Sequence, residues 1–262
     1  MSAPITQHSA VAHGTPITIS HLTKRFGALT ALDDVSLSID GNEFISIVGR
    51  SGCGKSTLLS IIAGLDGATE GQVDVGGEEV YAPGRDRGVV FQNATLLPWM
   101  TAQENVEFAL KPSGMSRRER ADTAREYLAL VGLTGFEGHY ASQLSGGMQQ
   151  RVALARSFSY QPRILLLDEP FGALDALTRR TMQRLLTEIW EKHRLTVVLI
   201  THDVEEAVYT SDRVVVMSAR PGRIRAEVPI ELERPRDPHV IDSPEFRDYA
   251  TEVLDLIHEG TV

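Results

Sequence analysis

The chain has 262 residues, of which 42% are hydrophobic and 23% are charged, proportions that are typical of a folded globular protein and argue against wholesale disorder. Its 26 Lys and Arg residues against 35 Asp and Glu residues give a formal net charge of −9, which disfavours broad binding to nucleic acid or to an anionic membrane face. The single cysteine, Cys53, excludes an intrachain disulfide.

No apolar run approaches the roughly 18 residues that a membrane-spanning helix needs. Residues 1–15 lack both the basic and the apolar segments of a signal peptide, and their small polar residues predict a loose tail. The expected location is therefore the cytoplasm.

The first part of the chain is predicted to form short antiparallel strands around one strand–loop–helix unit. Alternating or β-rich runs predict strands over residues 17–22, 35–39, 44–48 and 88–91. A helix over residues 56–63 follows a glycine-rich stretch and ends at Gly64. The pair Gly76 and Gly77 favours a hairpin within residues 72–80.

The middle of the chain changes to helical spacing, over residues 102–110, 116–131 and 145–159. Ser116 and Glu119 form a capping-box pattern at the start of the second of these helices. This stretch is predicted to be a helical insert that spans about residues 93–161.

Strands and helices then alternate. The hydrophobic runs at residues 164–168 and 196–201 are typical of strands that are buried on both faces. A helix is expected between them, followed by a strand over residues 213–218 and, within a C-terminal extension over residues 229–262, a last helix over residues 244–258. This order predicts an α/β fold with a parallel sheet at its centre.

The most specific chemical signal is a glycine-rich loop that follows a strand and opens a helix. It fits the pattern G-x-x-x-x-G-K-[ST] of a phosphate-binding loop. Glycines free the backbone N–H groups to surround an anion, and the helix dipole favours negative charge there. Lys55 adds a positive charge for the β- and γ-phosphates, and the Ser56 hydroxyl is the predicted ligand for Mg²⁺. The candidate nucleotide-binding residues are Gly49, Arg50, Ser51, Gly52, Cys53, Gly54, Lys55, Ser56 and Thr57.

A second signal is a pair of carboxylates at the end of the strand over residues 164–168, where ligands bind in α/β sheets. Asp168 is predicted to hold Mg²⁺ through its water shell, and Glu169 is predicted to act as the general base on the attacking water. Taken alone, the pair is equally compatible with an acidic strand end in solvent. The phosphate-binding loop favours the functional interpretation.

A third signal is a serine followed by two glycines at the start of a predicted helix. Ser145 is a good N-cap, and Gly146 and Gly147 let the backbone approach an anion. The motif is weak by itself, since such residues often only turn a chain. Gln92 and His202 each follow a predicted strand and offer an amide for a metal or water and an imidazole for a γ-phosphate, although a strand-end Gln or His is more often structural.

In this order along the chain, the motifs resemble those of the ATP-binding cassette of ABC transporters, over about residues 17–217. The resemblance implies a P-loop fold within residues 16–228, with a parallel-sheet core, an N-terminal antiparallel β subdomain and the helical insert. It implies that ATP and Mg²⁺ are bound and that Phe26 stacks on adenine. Met148 stands where the family pattern has glutamine, so Gln149 is the candidate for a ribose contact. The implied catalytic residues are Gln92, Glu169 and His202, and the implied metal ligands are Ser56, Gln92 and Asp168.

The resemblance also implies a head-to-tail homodimer in which each ATP lies between the phosphate-binding loop of one copy and Ser145, Gly146 and Gly147 of the other. Asp175 would line the seam. Binding of ATP would close the dimer, and hydrolysis would reopen it to drive separate permease subunits. The cassette would then lie on the cytoplasmic face of the inner membrane, with a solute-binding protein as an indirect partner.

A finer resemblance, in residues 87–92, 96–99, 168–175 and 218–224, is to the ATPases of nitrate, sulfonate and taurine importers. In related proteins the permease docks near residues 96–106. The apolar cluster at residues 96–100 is accordingly interpreted either as a docking surface or as local core. The solute itself is not encoded in this chain.

Three other functions compete with that of an importer ATPase. A cytosolic ABC ATPase without a transport role would carry a long coiled-coil insert or two cassettes, and the chain has neither. A P-loop kinase would not need the Ser-Gly-Gly helix start or His202 at a strand end. A nucleotide-gated binding module without turnover would not need both Glu169 and His202.

Overall fold

The computed structural model describes residues 14–259. The loose tail predicted over residues 1–15 lies outside the described residues except for Gly14 and Thr15. Both are hydrogen-bonded: the Gly14 N–H donates to the carbonyl oxygen of Arg194 (2.6 Å), and the Thr15 carbonyl accepts from Thr196 Oγ1 (2.8 Å). These two residues are therefore attached to the body of the protein.

Two sheets organise the fold. A four-stranded antiparallel sheet has the strand order β2–β1–β4–β5, with β1 (Ile17–Phe26), β2 (Leu29–Ile39), β4 (Glu70–Val75) and β5 (Glu78–Glu79). A six-stranded sheet has the order β10–β9–β3–β8–β7–β6, with β3 (Phe44–Gly49), β6 (Arg87–Val90), β7 (Ile164–Asp168), β8 (Thr196–Ile200), β9 (Arg213–Met217) and β10 (Ile224–Pro229). All its pairings are parallel except that between β9 and β10.

Three helices, α2 (Ala102–Leu110), α3 (Arg117–Leu130) and α4 (Gly146–Ser159), form an insert between β6 and β7. Each begins at a side-chain N-cap, namely Thr101, Ser116 and Ser145, as their hydroxyl chemistry favours. The seven helices within residues 14–259 are α1 (Lys55–Ile62), α2 (Ala102–Leu110), α3 (Arg117–Leu130), α4 (Gly146–Ser159), α5 (Ala176–His193), α6 (Val204–Thr210) and α7 (Pro244–His258). Short 3-10 helices span Lys111–Ser113, Ala141–Gln143 and Pro238–Asp242. None of the helices in this range is long and apolar enough to cross a membrane.

The central strands are buried on both faces, as their continuous apolar runs predict. On one face, Leu165 and Leu167 pack with the helices of the insert. On the other face, Ile164 and Leu166 pack with α1 and the antiparallel sheet. The carboxyl ends of these strands are thereby held rigidly between two cores.

The segment after β10 packs back onto the six-stranded sheet. Phe246 and Val253 of α7 are buried against β9 and α6. Arg236 donates hydrogen bonds to the carbonyl oxygens of Val208, Tyr209, Ser211 and Ile230, and burial lowers its pKa to about 10. These contacts join the C-terminal segment to the core, a feature for which the sequence provides no motif.

Most predicted elements end within one or two residues of the observed bounds, including the helix over residues 244–258. The strands predicted over residues 17–22 and 35–39 are longer in the structure, as β1 (Ile17–Phe26) and β2 (Leu29–Ile39). Strand β10 was not predicted. Its sequence alternates weakly and contains arginine, glutamate and proline, which are poor strand signals. It forms because β9 offers an open edge for antiparallel pairing.

Candidate functional site

A cleft of about 530 Å³ lies at the carboxyl ends of β3, β6, β7 and β8. It is bounded by the loop between β3 and α1 and by the turn between β1 and β2. The fold therefore brings together residues that are up to 194 positions apart in sequence, from Phe26 to Arg220. The lining residues are Phe26, Leu29, Ala31, Ser51, Gly52, Gly54, Lys55, Ser56, Thr57, Gln92, Glu169, His202 and Arg220.

The loop between β3 and α1 needs glycine because its backbone is left-handed and other residues pack closely against it. At Gly54 (φ +97°) a Cβ would lie 2.7 Å from Leu32 Cδ2 and 2.9 Å from the carbonyl oxygen of Ala31. Gly54 is also the N-cap of α1, and no side chain among the described residues caps that helix start. The positive end of the helix and its first N–H groups are consequently suited to an anion.

Lys55 is the buried cation of the site, with 7% of its surface exposed. Its Nζ donates to the carbonyl oxygens of Gly49 (2.8 Å) and Arg50 (3.2 Å). Both acceptors are neutral, and a buried charge is costly unless a counter-charge compensates it. An anion in the loop would supply that counter-charge.

Asp168 lies at the end of β7, buried next to α1. The pKa of Asp168 lies above its usual value, chiefly because the carboxyl group is buried. A hydrogen bond with Ser56 and the Lys55 ammonium each lower the pKa part of the way back, and the Glu169 carboxylate raises it. The Ser56 hydroxyl and the Asp168 carboxyl group therefore lie side by side, and of the two only Ser56 lines the cleft itself. Oxygen donors of this kind fit Mg²⁺, which usually takes only one or two ligands from the protein and the rest from water and phosphate.

Glu169 joins the ends of three strands. Its Oε2 accepts a hydrogen bond from Gln92 Nε2 at 3.1 Å and lies 3.2 Å from His202 Nδ1. Its backbone is left-handed (φ +46°) and its N–H donates to the carbonyl oxygen of Ile200 at 2.9 Å. Left-handed backbone at a non-glycine residue is strained and tends to occur at functional sites. The strain at Glu169 places the carboxylate at the rim of the cleft.

Phe26 lies at the mouth of the cleft with 49% of its surface exposed. The ammonium of Lys24 lies 4.8 Å from the ring centroid and is itself paired with Asp66 at 2.6 Å. This cation–π contact fixes the ring. The exposed ring offers an apolar surface at the edge of a polar pocket.

Several predicted residues of the phosphate-binding loop do not line the cleft. Gly49, Arg50 and Cys53 are outside the lining set, and Cys53 is only 1% exposed. At Gly49 (φ +154°) a Cβ would lie 2.7 Å from the carbonyl oxygen of Met217. Gly49 and Cys53 therefore shape the loop from behind, while Ser51, Gly52 and Gly54 face the cleft.

The start of α4 and the start of α5 lie outside this cleft within one chain. Ser145 Oγ accepts a hydrogen bond from the Met148 N–H at 3.3 Å, and a Cβ on Gly147 would lie 3.1 Å from the carbonyl oxygen of Ala173. Asp175 is the N-cap of α5, and hydrogen bonds, chiefly from the Thr178 side chain, lower its pKa. The predicted site residues at these two helix starts therefore do not line the cleft of their own chain. They are Ser145, Gly146, Gly147, Gln149 and Asp175.

The amide of Gln149 is already engaged. Its Nε2 donates to the carbonyl oxygens of Ala141 (2.9 Å) and Leu144 (3.1 Å). Met148 packs against the apolar core of the insert. A ribose contact from this helix start would have to use other atoms than the Gln149 amide nitrogen.

Sequence reasoning missed Leu29, Ala31 and Arg220 as lining residues. Leu29 and Ala31 begin the strand after the Phe26 turn, and their apolar character gives no functional signal. Arg220 follows β9 within residues 218–224, a run for which the sequence indicates a family subgroup but no role.

More than half of the chain matches a known protein family. Residues 32–172 match the family model described as ABC transporter. The chain is 52% identical over 245 residues to an uncharacterised ABC transporter ATP-binding protein of Methanocaldococcus jannaschii, with 92% of this chain and 91% of that protein covered.

Two further relatives are named for the import of a solute. The nitrate import ATP-binding protein NrtD of Synechocystis sp. is 48% identical over 237 residues, covering 88% of this chain and 89% of that protein. The taurine import ATP-binding protein TauB of Burkholderia thailandensis is 51% identical over 210 residues, covering 80% of this chain and 81% of that protein.

Solved structures agree with this fold. The dimeric structure of MJ0796, a bacterial ABC transporter cassette, superposes with a TM-score of 0.77 at 38% identity over 83% of this chain and 100% of that chain. A dimeric post-hydrolysis state of the same cassette, bound to ADP and Pi, gives a TM-score of 0.76 at 37% identity, with the same shares of each chain covered.

Proposed function

The chain belongs to the ABC transporter family, and from that premise we propose that it is the ATP-hydrolysing subunit of an importer for a small solute such as nitrate, a sulfonate or taurine. The observation that carries the ATPase assignment is the placement of Glu169 between Gln92 and His202 at the rim of a phosphate-binding cleft. The importer assignment rests on the relatives that are named for nitrate and taurine import.

ATP would lie along the cleft with its phosphates in the loop between β3 and α1. The helix start of α1 and the buried ammonium of Lys55 compensate the negative charge of the phosphates. The adenine would stack on the exposed ring of Phe26. Ser51, Gly52, Gly54 and Thr57 complete the wall that faces the ligand.

Ser56 and Asp168 would hold Mg²⁺, with Gln92 as a further oxygen ligand from the neighbouring strand end. The paired oxygens of Ser56 and Asp168 and the burial that raises the Asp168 pKa support this placement, since a cation would compensate the buried carboxylate. When bound, the ion neutralises charge on the β- and γ-phosphates.

Glu169 would orient the attacking water and accept its proton. Gln92 Nε2 fixes one side of the carboxylate, and His202 lies against the same oxygen. His202 has an exposed side chain, so its ring can turn towards a γ-phosphate. This arrangement supports general-base hydrolysis in which three strand ends position one carboxylate.

A second copy of the chain would complete the site. Ser145, Gly146 and Gly147 form a helix start that lies outside the cleft of their own chain, and such a start binds anions. Asp175 would lie at the seam between the copies. ATP held between two copies would favour the closed dimer, and loss of the γ-phosphate would weaken it.

Transport requires membrane-spanning permease subunits, and the chain would bind them at the cytoplasmic face of the inner membrane. Trp99 at 69% exposure supports a docking surface in residues 96–100, whereas Leu96 packs partly against the insert core. A solute-binding protein would be an indirect partner. An ABC ATPase that acts in the cytosol without a permease is the alternative, and co-purification with a membrane fraction distinguishes the two.

The test of the ATPase assignment is Glu169→Gln. This variant keeps a hydrogen-bonding side chain and lacks the base, so ATP turnover should fall about a hundred-fold or more. ATP binding should persist, and the ATP-bound dimer should accumulate in size-exclusion chromatography with light scattering.

Glu78→Gln is the matched control. Glu78 is exposed on β5, in the antiparallel sheet and away from the cleft, so this variant should keep wild-type turnover. If Glu169→Gln hydrolyses ATP at the wild-type rate, Glu169 is not the base.

A further inference from the structure

The turn between β9 and β10 lies directly against the phosphate-binding loop. The Gly222 N–H donates to the carbonyl oxygen of Ala31, and the Gly222 carbonyl accepts from the Asp33 N–H, both at 3.0 Å. A Cβ on Gly222 would lie 2.0 Å from the carbonyl oxygen of Cys53. The turn therefore packs tightly between the loop proposed to bind phosphates and the start of β2.

Arg220 extends from this turn into the cleft. Its Nε donates to the carbonyl oxygen of Gly52 at 2.8 Å, and its exposed side chain is part of the cleft lining. Across residues 14–259, no carboxylate forms an ion pair with Arg220. With Nε engaged, the terminal Nη groups, which carry four N–H donors, have no protein acceptor within that range.

Arg223, three residues further on, shows the opposite arrangement. Its guanidinium forms an ion pair with Asp33, with Nε 3.0 Å from Oδ2, and it does not line the cleft. Two arginines of one turn thus differ both in their counter-charge and in whether they line the cleft. Arg223 has its counter-charge in Asp33, and Arg220 lines the ligand cleft with no ion-pair partner among the described residues.

We propose that Arg220 is a nucleotide-contacting residue that binds the phosphate chain of ATP and ADP while it braces the loop at Gly52. The inference rests on the proposed function, because it takes the cleft to be the nucleotide site. Lys55 supplies a buried positive charge in the lining of the cleft, and Arg220 supplies an exposed one. A guanidinium is suited to this task, since it stays charged and presents paired N–H donors to phosphate oxygens.

The position of Arg220 predicts which part of the nucleotide it contacts. Its Nε contacts Gly52 of the phosphate-binding loop, and the turn that carries it packs against Ala31 and Cys53 through Gly222. Glu169 and His202, the residues proposed to act on the γ-phosphate, belong to the strand ends of β7 and β8. Arg220 should therefore contribute to ATP and ADP binding equally.

The experiment compares Arg220→Gln, Arg220→Lys and the control Arg223→Gln in the full-length protein. The dissociation constants of ATP, ADP and adenosine are measured by displacement of a fluorescent nucleotide analogue at two salt concentrations. Arg220→Gln keeps a donor for Gly52 and lacks the charge, so ATP and ADP should each bind about ten-fold more weakly. Adenosine binding should not change, the salt dependence should become shallower, and Arg220→Lys should keep most of the affinity.

Arg223→Gln should bind all three ligands as the wild type does. The proposal is overturned if Arg220→Gln keeps wild-type affinity for ATP and ADP, if it weakens adenosine binding as much as ATP binding, or if Arg223→Gln shows the same loss. Failure of the proposed function has a different signature, since wild-type protein would then show no affinity for ATP.

Discussion

The two helix starts that carry glycines, at α1 and at α4, differ in what surrounds them. The start of α1 lies in a cleft with a buried cation, a paired Ser56 and Asp168, and a carboxylate held by two strand ends. The start of α4 instead has a serine N-cap, in which Ser145 Oγ accepts from the Met148 N–H, and it lies outside the cleft of its own chain. The first is equipped to bind and hydrolyse a nucleotide, whereas the second can at most bind an anion.

Under the proposed function, this difference explains why a second copy would be needed. A helix start with free backbone donors but no cation binds phosphate weakly by itself. When another chain already binds the nucleotide, the α4 helix start only has to add contacts to a ligand that is in place. Affinity for ATP should therefore depend mostly on the α1 region, and dimer formation on the α4 region.

The largest expected effect comes from Lys55→Ala, which removes the buried cation of the α1 region. ATP affinity should fall about a hundred-fold or more, equivalent to ~3 kcal/mol, and dimer formation with ATP should be lost with it. Titration with a fluorescent ATP analogue measures the first effect and light scattering the second.

Lys24→Ala is a matched control, because Lys24 pairs with Asp66 outside the cleft lining. It should keep most of the affinity, with at most a small loss through the Phe26 ring. Wild-type ATP affinity in Lys55→Ala would contradict the assignment of the loop.

Gly146→Asp should separate the two regions. A Cβ on Gly146 meets no atom within 4 Å, so the side chain fits within one chain, and a carboxylate in the first turn of α4 favours that helix. The same charge would repel the phosphates of a nucleotide held by the partner copy. We expect ATP binding to the monomer within about two-fold of wild type, and both ATP-induced dimerisation and turnover to be lost.

Mixing the two variants tests the shared site. Lys55→Ala subunits keep a normal α4 start, and Gly146→Asp subunits keep a normal α1 region, so mixed dimers contain one complete site. Part of the ATPase activity should return on mixing. If mixing restores nothing, the two regions do not form a site between copies.

The α1 region was predictable from sequence because its chemistry is local. Nine consecutive residues carry the loop, and buried apolar strands deliver Asp168, Glu169 and His202 to one edge of the sheet. The left-handed backbone of Glu169 was not predictable, since it depends on the hydrogen bond to Ile200 in the neighbouring strand.

Arg220 and the engagement of Gln149 were not predictable for a related reason. Arg220 reaches the cleft only because β10 pairs with β9 and turns residues 218–223 towards the loop. The Gln149 amide is taken up by the 3-10 helix over Ala141–Gln143 and the residue after it. Side-chain partners that are set by tertiary packing leave no local pattern.

Asp168→Asn should stabilise the ligand-free protein at neutral pH, because it removes a buried carboxylate charge. Burial raises the pKa of Asp168 in the folded state above its ordinary value of 3.8. At pH values between these two pKa values the folded protein binds more protons than the unfolded protein, so stability falls as pH rises through that window. The advantage of Asp168→Asn should therefore be full at neutral pH and vanish below pH 3.8. Urea unfolding at several pH values measures it, and an advantage that is the same at all pH values would contradict burial of the charge as its cause.

The smallest effects come from Ser116→Ala and Ser145→Ala, which each remove an N-cap hydroxyl in the same insert. Each serine hydroxyl accepts an N–H three residues on, at 3.3 Å in both helices, so each change should cost about 1 kcal/mol of stability. Only Ser145 belongs to the helix start that would meet the partner's nucleotide, so only Ser145→Ala should also slow ATP turnover and weaken the ATP-bound dimer. Thermal unfolding and steady-state ATPase assays on the two variants separate the capping role from the nucleotide role. Equal turnover in both would assign Ser145 to capping alone, and the α4 half of the site would then consist of backbone and glycines.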